Sequence, residues 1–473
     1  TKLVHGGVRY LAQGNIALVR EALHERTTLL RNAPHCVTPL PTLIPIFSWT
    51  RGLWAALRTL AGSATAPRSR GAALIKAGLA AYDFYGSRAR VMPRHRMVGR
   101  ARALRETPPL TPAIVAVGTY FDAAISRPER LVLELVQDGL AASAGSAALT
   151  YTTLAAVEDG ALTFAGPDGA RLAARPRIVV NAAGPWIDAV NAALGAPSRL
   201  IGGTRGSHVL LHHDELVRVL AGRMIYFEAD DGRILLVYDY LGRALVGSTD
   251  IPAADPDDVR CDDAEIDYFL ASLRALLPGL AFDRGQIVYA YSGIRPLPAS
   301  DAATPGLISR DHSAPVAEPA PGRPFPILSL VGGKWTTFRG FAEEAADMIL
   351  ARLHRARTVS TRDMRIGGGR GYGPTARAVA AQEAALGDAR LPDATDHSRA
   401  EIDWIARNEM VVRLADLAKR RTTLAITGAL TAADLAAIAE TAAAALGWDA
   451  DRVAAEMRAT VDELSRDNRL CLR

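Results

Sequence analysis

Hydrophobic positions first recur with a helical period after Gly14. Ile16, Val19, Leu23, Leu29 and Leu30 share one face, Asn15 supplies an N-cap, and Asn32-Ala33-Pro34 ends the run. Prolines punctuate Pro39 to Pro45, which predicts a crossing between domains. Helical spacing returns over residues 49–90 and 131–141, the second run carried by Leu131, Leu135, Val136 and Leu140. Asp159-Gly160 and Asp168-Gly169 predict two strand-turn-strand units. A short apolar run at 177–181 ends in small residues, Asn-Ala-Ala-Gly-Pro-Trp (181–186), and enters a helix. Alternation over 205–250 predicts an antiparallel sheet, a helix follows near 263–276, and Tyr291 to Leu297 reads as a loop between strands. Ile327 to Val331 is a buried strand that runs into Gly332-Gly333-Lys334 and then a helix bearing Phe338, Phe341, Ala345, Met348 and Ile349. Beyond Gly367-Gly368-Gly369 the chain is alanine-rich and helical, a separate C-terminal domain.

The whole is a mixed α/β (α+β) chain, and 473 residues suffice for two or three domains. A hydrophobic share of 49% with 22% charged residues excludes global disorder. The net charge of +5 comes almost wholly from arginine, since lysine stands only at positions 2, 76, 334 and 419. Those arginines are dispersed, so no nucleic-acid partner is expected. The densest group, Arg94 to Arg105, reads as a solvated basic loop or as a contact with an anionic membrane surface. Cys36, Cys261 and Cys471 are too far apart for a disulfide framework, which suits a reducing compartment, and no metal-ligand spacing is present. No apolar window reaches 18 residues, so no helix is expected to span a bilayer.

Candidate chemistry lies at three places. The strand-Gly-Gly-Lys-x-Thr-Thr-helix segment offers backbone access at Gly332 and Gly333 and a helix start whose free N–H groups suit a phosphate or a reduced flavin. The GxxxxGK[ST] phosphate loop is absent. His5-Gly-Gly-Val-Arg9 sets an imidazole and a guanidinium four residues apart, a pair that could flank an anionic substrate with a transferable proton. Arg295, between Gly293 and Pro296, is a third anion clamp, and His208 is either a site residue or a core histidine.

Taken in order, residues 1–11 (Thr-Lys-Leu-Val-His-Gly-Gly-Val-Arg-Tyr-Leu), 181–186, Gly-Ser-Thr-Asp (247–250), Tyr-Ser-Gly-Ile-Arg-Pro-Leu (291–297) and Gly-Gly-Lys-Trp-Thr-Thr-Phe-Arg (332–339) make the chain resemble the FAD-dependent glycerol-3-phosphate dehydrogenases, respiratory flavoenzymes that reduce quinone. The resemblance implies a flavin-binding fold of the glutathione-reductase type, a mixed-sheet substrate domain and a helical C-terminal domain. It divides the chain into an FAD-binding domain (1–40, 101–200 and 285–355), a substrate domain (41–100 and 201–284) and the helical domain (365–473). By resemblance, His5, Arg9, Arg295 and Lys334 line the substrate pocket, with His5 as the base and the three cations on the phosphate or the reacting hydroxyl. Thr1, Lys2, Leu3, Ala183, Gly184, Gly332, Gly333, Lys334, Thr336 and Thr337 contact FAD. The implied partners are glycerol 3-phosphate, a quinone and the cytoplasmic face of the inner membrane, touched peripherally; a homodimer stays open.

Several segments depart from that pattern. The strand, GxGxxG turn and acidic residue that bind the ADP half of FAD do not precede Thr1. An N-terminal truncation of roughly 30 to 50 residues, the size of such a βαβ unit, is therefore expected, with weak FAD retention. Tyr238-Asp239-Tyr240 stands where the family has proline and tryptophan, and Asp239 is expected to bring negative charge near the substrate domain. The pattern before Arg130 also differs, so Arg130 receives no role. Alternative readings are an oxidase that passes electrons to oxygen and a non-catalytic remnant that acts as an interaction module.

Overall fold

A ten-stranded sheet organises the chain. The computed structural model describes residues 2–11, 15–50, 71–86, 91–229, 231–253, 255–299, 311–369 and 373–473. Thr1, Trp54 and the side chain of Arg9 lie outside the described residues. In chain order the elements that build the site are β1 (Leu3–Val4), α1 (Ile16–Asn32), β2 (Val37–Ile46), α2 (Ala72–Tyr85), β3 (Arg96–Gly99), β4 (Ala116–Ile125) and α3 (Pro128–Ala142). They continue with β5 (Val179–Asn181), α4 (Ile187–Ala193), β6 (Thr204–Leu211), β7 (Met224–Glu228), β8 (Ile234–Tyr240), β9 (Arg243–Gly247) and β10 (Ile251–Pro252). Last come α5 (Asp263–Leu276), β11 (Ile287–Arg295), β12 (Ile327–Ser329), α6 (Phe338–Arg352), α7 (Arg399–Asn408), α8 (Ala432–Leu446) and α9 (Ala450–Asn468).

The sheet order is β1-β4-β2-β7-β8-β9-β6-β10, with β3 also on β4 and β11 also on β6. Strands from the segments assigned above to the FAD-binding and substrate domains thus share one sheet. Its central strands alternate strictly. Leu235, Val237, Ala244, Val246, Val209 and Leu211 face α5, which answers with Ile266, Phe269, Leu270 and Leu273. Leu236, Tyr238, Leu245 and Leu210 face the C-terminal helices through Ile402, Ile405, Leu435, Ile438 and Leu464. Successive side chains that alternate between faces, with both sets apolar, are what a sheet buried between two helical layers requires.

Local signals explain most element ends. Asn15 accepts from Leu18 N at 3.1 Å and caps α1. Asp262 and Glu265 form a reciprocal capping box that starts α5. Both Asp-Gly signals become turns of an antiparallel three-stranded sheet spanning 153–174. The proline-punctuated stretch, expected to be a crossing, is instead strand β2, paired with β4 from Val37↔Ile125 to Ile46↔Ala116. Pro39, Pro41 and Pro45 all occupy odd positions, whereas Ile46, at an even one, accepts from Val115 on the β4 side. The missing N–H groups therefore point away from β4, toward a side where only Thr42 and Leu43 pair with β7. Residues 291–295, expected in a loop, continue β11 along β6 to Arg295↔Thr204.

Arg130 ties the layers together. Its guanidinium grips the fully buried Glu409 carboxylate at 2.5 and 2.8 Å, while Arg421 donates to the Glu409 carbonyl at 2.7 Å. This joins α3 to the C-terminal region through a bidentate, water-excluded pair. Asp239, expected to charge the substrate domain, accepts from Gly242 N at 2.9 Å and closes the β8–β9 turn. Tyr238 and Tyr240 point to the opposite face, where Tyr240 donates to Ser126 O at 2.5 Å.

Candidate active site

The His5 turn leaves β1, which pairs with β4 through Leu3↔Ala124 and Val4↔Ala123. Its backbone is held from two directions. The Thr336 hydroxyl accepts from His5 N at 3.0 Å and lies 3.1 Å from His5 O, while Asp122 Oδ1 on β4 accepts from Gly6 N at 2.8 Å. Gly7 is left-handed at φ +75°, a conformation glycine adopts without strain. A Cβ there would stand 2.5 Å from the Tyr10 ring and 3.2 Å from Lys334 Nζ. The turn and Lys334 thus meet directly: Lys334 Nζ sits 4.1 Å from the Tyr10 ring centroid, and the His5 and Tyr10 rings lie 6.5 Å apart. On α1, the half-buried Glu21 lies in the fields of His312 and Lys334, but burial outweighs them and raises its pKa.

A second cluster lies on the sheet face that carries β6 and β11. Arg295 reaches across Gly206, where a Cβ would come within 2.1 Å of its guanidinium. It bonds Asp250 Oδ1 at 3.1 Å, Ser248 Oγ at 2.9 Å and Thr249 O at 2.8 Å. Two register pairs beyond Gly206, His208 stacks on Tyr291 at 4.9 Å with planes 6° apart. Lys2 extends the row, 5.8 Å from the Tyr291 ring, and is paired with Glu129 at 2.9 Å. Both ring nitrogens of His208 are buried without a hydrogen-bond partner.

Burial first, then the positive fields of Arg295 and Lys2, push the His208 pKa well below its usual value. The folded chain therefore holds this imidazole neutral, while the unfolded chain protonates it near pH 6.5. Stability contributed by the neutral ring is complete above that pH and falls as pH drops below it. Between pH 6 and 5 the unfolding free energy should decline by up to about 1.4 kcal/mol more per pH unit than in His208→Phe. Chemical unfolding at each pH checks this, and parallel curves would contradict it.

The third part is built by two parallel strands, β5 and β12, in register from Val179↔Ile327 to Asn181↔Ser329. Each is followed by a glycine-bearing turn that enters a helix. Ala183 and Gly184 (φ +59°) lead through a single 3-10 turn into α4, and Gly332 (φ +73°) and Gly333 (φ +85°) lead through Trp335–Thr337 into α6. Neither helix start carries a side-chain cap. A Cβ on Gly184 would meet nothing within 4 Å, so the backbone there is open to a ligand. Helix N-termini at the carboxyl ends of neighbouring parallel strands form a dinucleotide or flavin cradle. Thr337 is buried, its N–H donating to Lys334 O at 3.0 Å, and Trp335 Nε1 is buried without a partner.

Most of the sequence-predicted residues gather in these clusters. His5, Lys334 and Thr336 meet; Arg295 joins the His208 row; Lys2 and Leu3 enter through β1; and Ala183, Gly184, Gly332 and Gly333 line the strand ends. Asp122, Arg26 and Tyr82, which buttress Gly6, carry no local motif that marks them for the site. One cation-ligating trio occurs among the described residues, His35, Cys36 and Glu134. His35 Nε2 hydrogen-bonds Glu134 Oε2 directly at 2.6 Å, and burial pushes the Cys36 thiol up to about 12, so the trio is a packed pair with a protonated thiol.

Glycine turns feeding two uncapped helix starts, beside an imidazole and a lysine, define a flavin- or dinucleotide-dependent oxidoreductase. The family model described as FAD dependent oxidoreductase matches residues 1–348, and one for the C-terminal domain of alpha-glycerophosphate oxidase matches 328–453. The chain belongs to the FAD dependent oxidoreductase family. It is 31% identical over 381 residues to a glycerol-3-phosphate dehydrogenase of Synechocystis sp., covering 75% of this chain and 63% of that protein. It is also 31% identical over 352 residues to a D-erythritol 1-phosphate dehydrogenase of Brucella abortus, covering 72% and 64%. The chain thus spans less than two thirds of the length of these relatives. A glycerol-3-phosphate dehydrogenase from Bacillus halodurans, solved with FAD, shares the fold with a TM-score of 0.66 at 20% identity, over 98% of this chain and 86% of that one. FAD is the family's cofactor, and the open strand-end glycines and uncapped helix starts fit it.

Proposed function

We propose that this protein oxidises sn-glycerol 3-phosphate to dihydroxyacetone phosphate and passes the electrons through FAD to a quinone. The observation that carries the reading is the meeting of the His5 turn, Tyr10 and Lys334 at the start of α6, with Lys334 Nζ 4.1 Å from the Tyr10 ring centroid. Bound FAD supplies the acceptor for the hydride that leaves C2. His5 takes the hydroxyl proton as the C–O bond becomes a carbonyl. Arg9, Arg295 and Lys334 hold the phosphate dianion and the reacting oxygen, which favours a phosphorylated polyol over free glycerol. Lys2, Leu3, Ala183, Gly184, Gly332, Gly333, Thr336 and Thr337 line the cofactor cradle, and Lys334 with the α6 N-terminus favours negative charge on the reduced cofactor.

The quinone and a peripheral position on the cytoplasmic face of the inner membrane belong to the same proposal. Among the described residues no helix is long and apolar enough to cross a membrane, whereas Phe47 and Trp49 are exposed. The likeness to the Brucella abortus protein favours a second substrate of the same class, D-erythritol 1-phosphate. The FAD-loaded protein, assayed on both phosphates and on glycerol with either a soluble quinone or oxygen as acceptor, separates these readings. Quinone-dependent turnover on glycerol 3-phosphate with little peroxide is expected. Preference for the erythritol ester would change the substrate, dominant peroxide the acceptor, and equal rates on free glycerol would overturn the phosphate clamp.

A further inference from the structure

We propose that Asp122, on β4, is the positioning residue of the His5 turn, acting with Arg26 and Tyr82 through the Gly6 amide; the inference rests on His5 being the base. Asp122 is buried, and its Oδ1 accepts three bonds: from Gly6 N at 2.8 Å, Tyr82 Oη at 2.6 Å and Arg26 Nη1 at 3.0 Å. Arg26 Nη1 also reaches Tyr82 Oη at 2.8 Å and Phe121 O at 2.9 Å, which fixes its plane on both sides of the carboxylate. These groups come from three elements, α1, α2 and β4, so the Gly6 peptide is referenced to all three.

The fit at Gly6 is closed. A Cβ there would stand 2.1 Å from Tyr82 Oη and 2.6 Å from Leu23, so only glycine lets the tyrosyl hydroxyl reach the carboxylate. Thr336 holds His5 from the other side at 3.0 Å. The peptide on each flank of the imidazole-bearing Cα is therefore anchored, one to the α6 turn and one to the sheet. A buried ion pair adds little stability over an apolar core of the same shape. Placement is what it contributes beside the His5 turn: catalysis demands geometry within a fraction of an ångström, and a misplacement of about 1 Å costs about a hundredfold.

The test uses the FAD-loaded full chain. Asp122→Ala should lower kcat by about tenfold to a hundredfold with KM changed less than threefold, and Asp122→Asn, whose carbonyl still accepts from Gly6, should recover part of that loss. Amide exchange over residues 5–7, read by mass spectrometry without substrate, should accelerate about tenfold in Asp122→Ala and less in Asp122→Asn. Should Asp122→Ala fail to fold, Tyr82→Phe keeps the ion pair and the ring and removes one donor; it should lower kcat several-fold at constant KM. Unchanged kcat in Asp122→Asn and Tyr82→Phe, or a loss confined to KM, would overturn the proposal. If the wild type does not turn over, the reaction reading fails by itself, and unchanged exchange in the variants overturns the anchoring separately.

Discussion

Replacing His5 by asparagine is expected to slow flavin reduction by glycerol 3-phosphate by about 10²–10⁴-fold, the usual contribution of a positioned general base. Asparagine is close in size and leaves the backbone bonds to Thr336 and Asp122 in place, so the turn should persist. Cofactor content and thermal midpoint should therefore stay near wild type, which separates a lost proton acceptor from a lost fold. Raising the pH should recover part of the rate, because hydroxide then replaces the missing base. A His5→Asn protein that reduces its flavin at more than a tenth of the wild-type rate would move the base elsewhere.

Replacing Arg295 by leucine is expected to raise KM for glycerol 3-phosphate by about 10- to 150-fold, corresponding to the roughly 1.5–3 kcal/mol of a hydrogen bond to a charged group. The guanidinium is oriented before any ligand arrives: Asp250, Ser248 and Thr249 hold it across Gly206. Its partner Asp250 is 26% exposed, so removing this ion pair costs little stability. The effect should be specific to the phosphate, so any turnover on unphosphorylated glycerol should be unchanged. An Arg295→Leu variant with unaltered KM would remove this residue from the clamp.

Much of the framework was readable from short-range pattern because short-range physics decides it. Asn15 and Asp262 cap helices through bonds to residues three positions away, and the Asp-Gly pairs make turns that need left-handed backbone. The strand-Gly-Gly-Lys-helix segment carried its own geometry, since strand, glycines and helix are contiguous. The stretches misread were those where tertiary pairing overrides a local signal. Pro39, Pro41 and Pro45 look like breaks until one side of their strand proves to have almost no partner, and Tyr291 to Arg295 become strand only because β6 lies beside them. The anchors of the site were invisible for a related reason. Asp122 meets Gly6 across 116 residues, and Arg130 meets Glu409 across 279, so no window along the chain contains either pair.

The same division applies to the chemistry. His5, Lys334 and Arg295 could be chosen by residue type and motif, but their placement depends on contacts no motif contains: Thr336 and Asp122 on either side of one turn, and Asp250 beside one guanidinium. Those contacts fix the backbone of the His5 turn and the guanidinium of Arg295, and fixed geometry is what concerted chemistry requires.

The most direct test of the central claim is an anaerobic visible spectrum of the FAD-loaded protein before and after glycerol 3-phosphate is added. The account predicts bleaching of the oxidised flavin band in the wild type, with the same end point reached about 10²–10⁴-fold more slowly in His5→Asn. A flavin that is firmly bound and correctly folded yet keeps its oxidised spectrum with both glycerol 3-phosphate and D-erythritol 1-phosphate would contradict it.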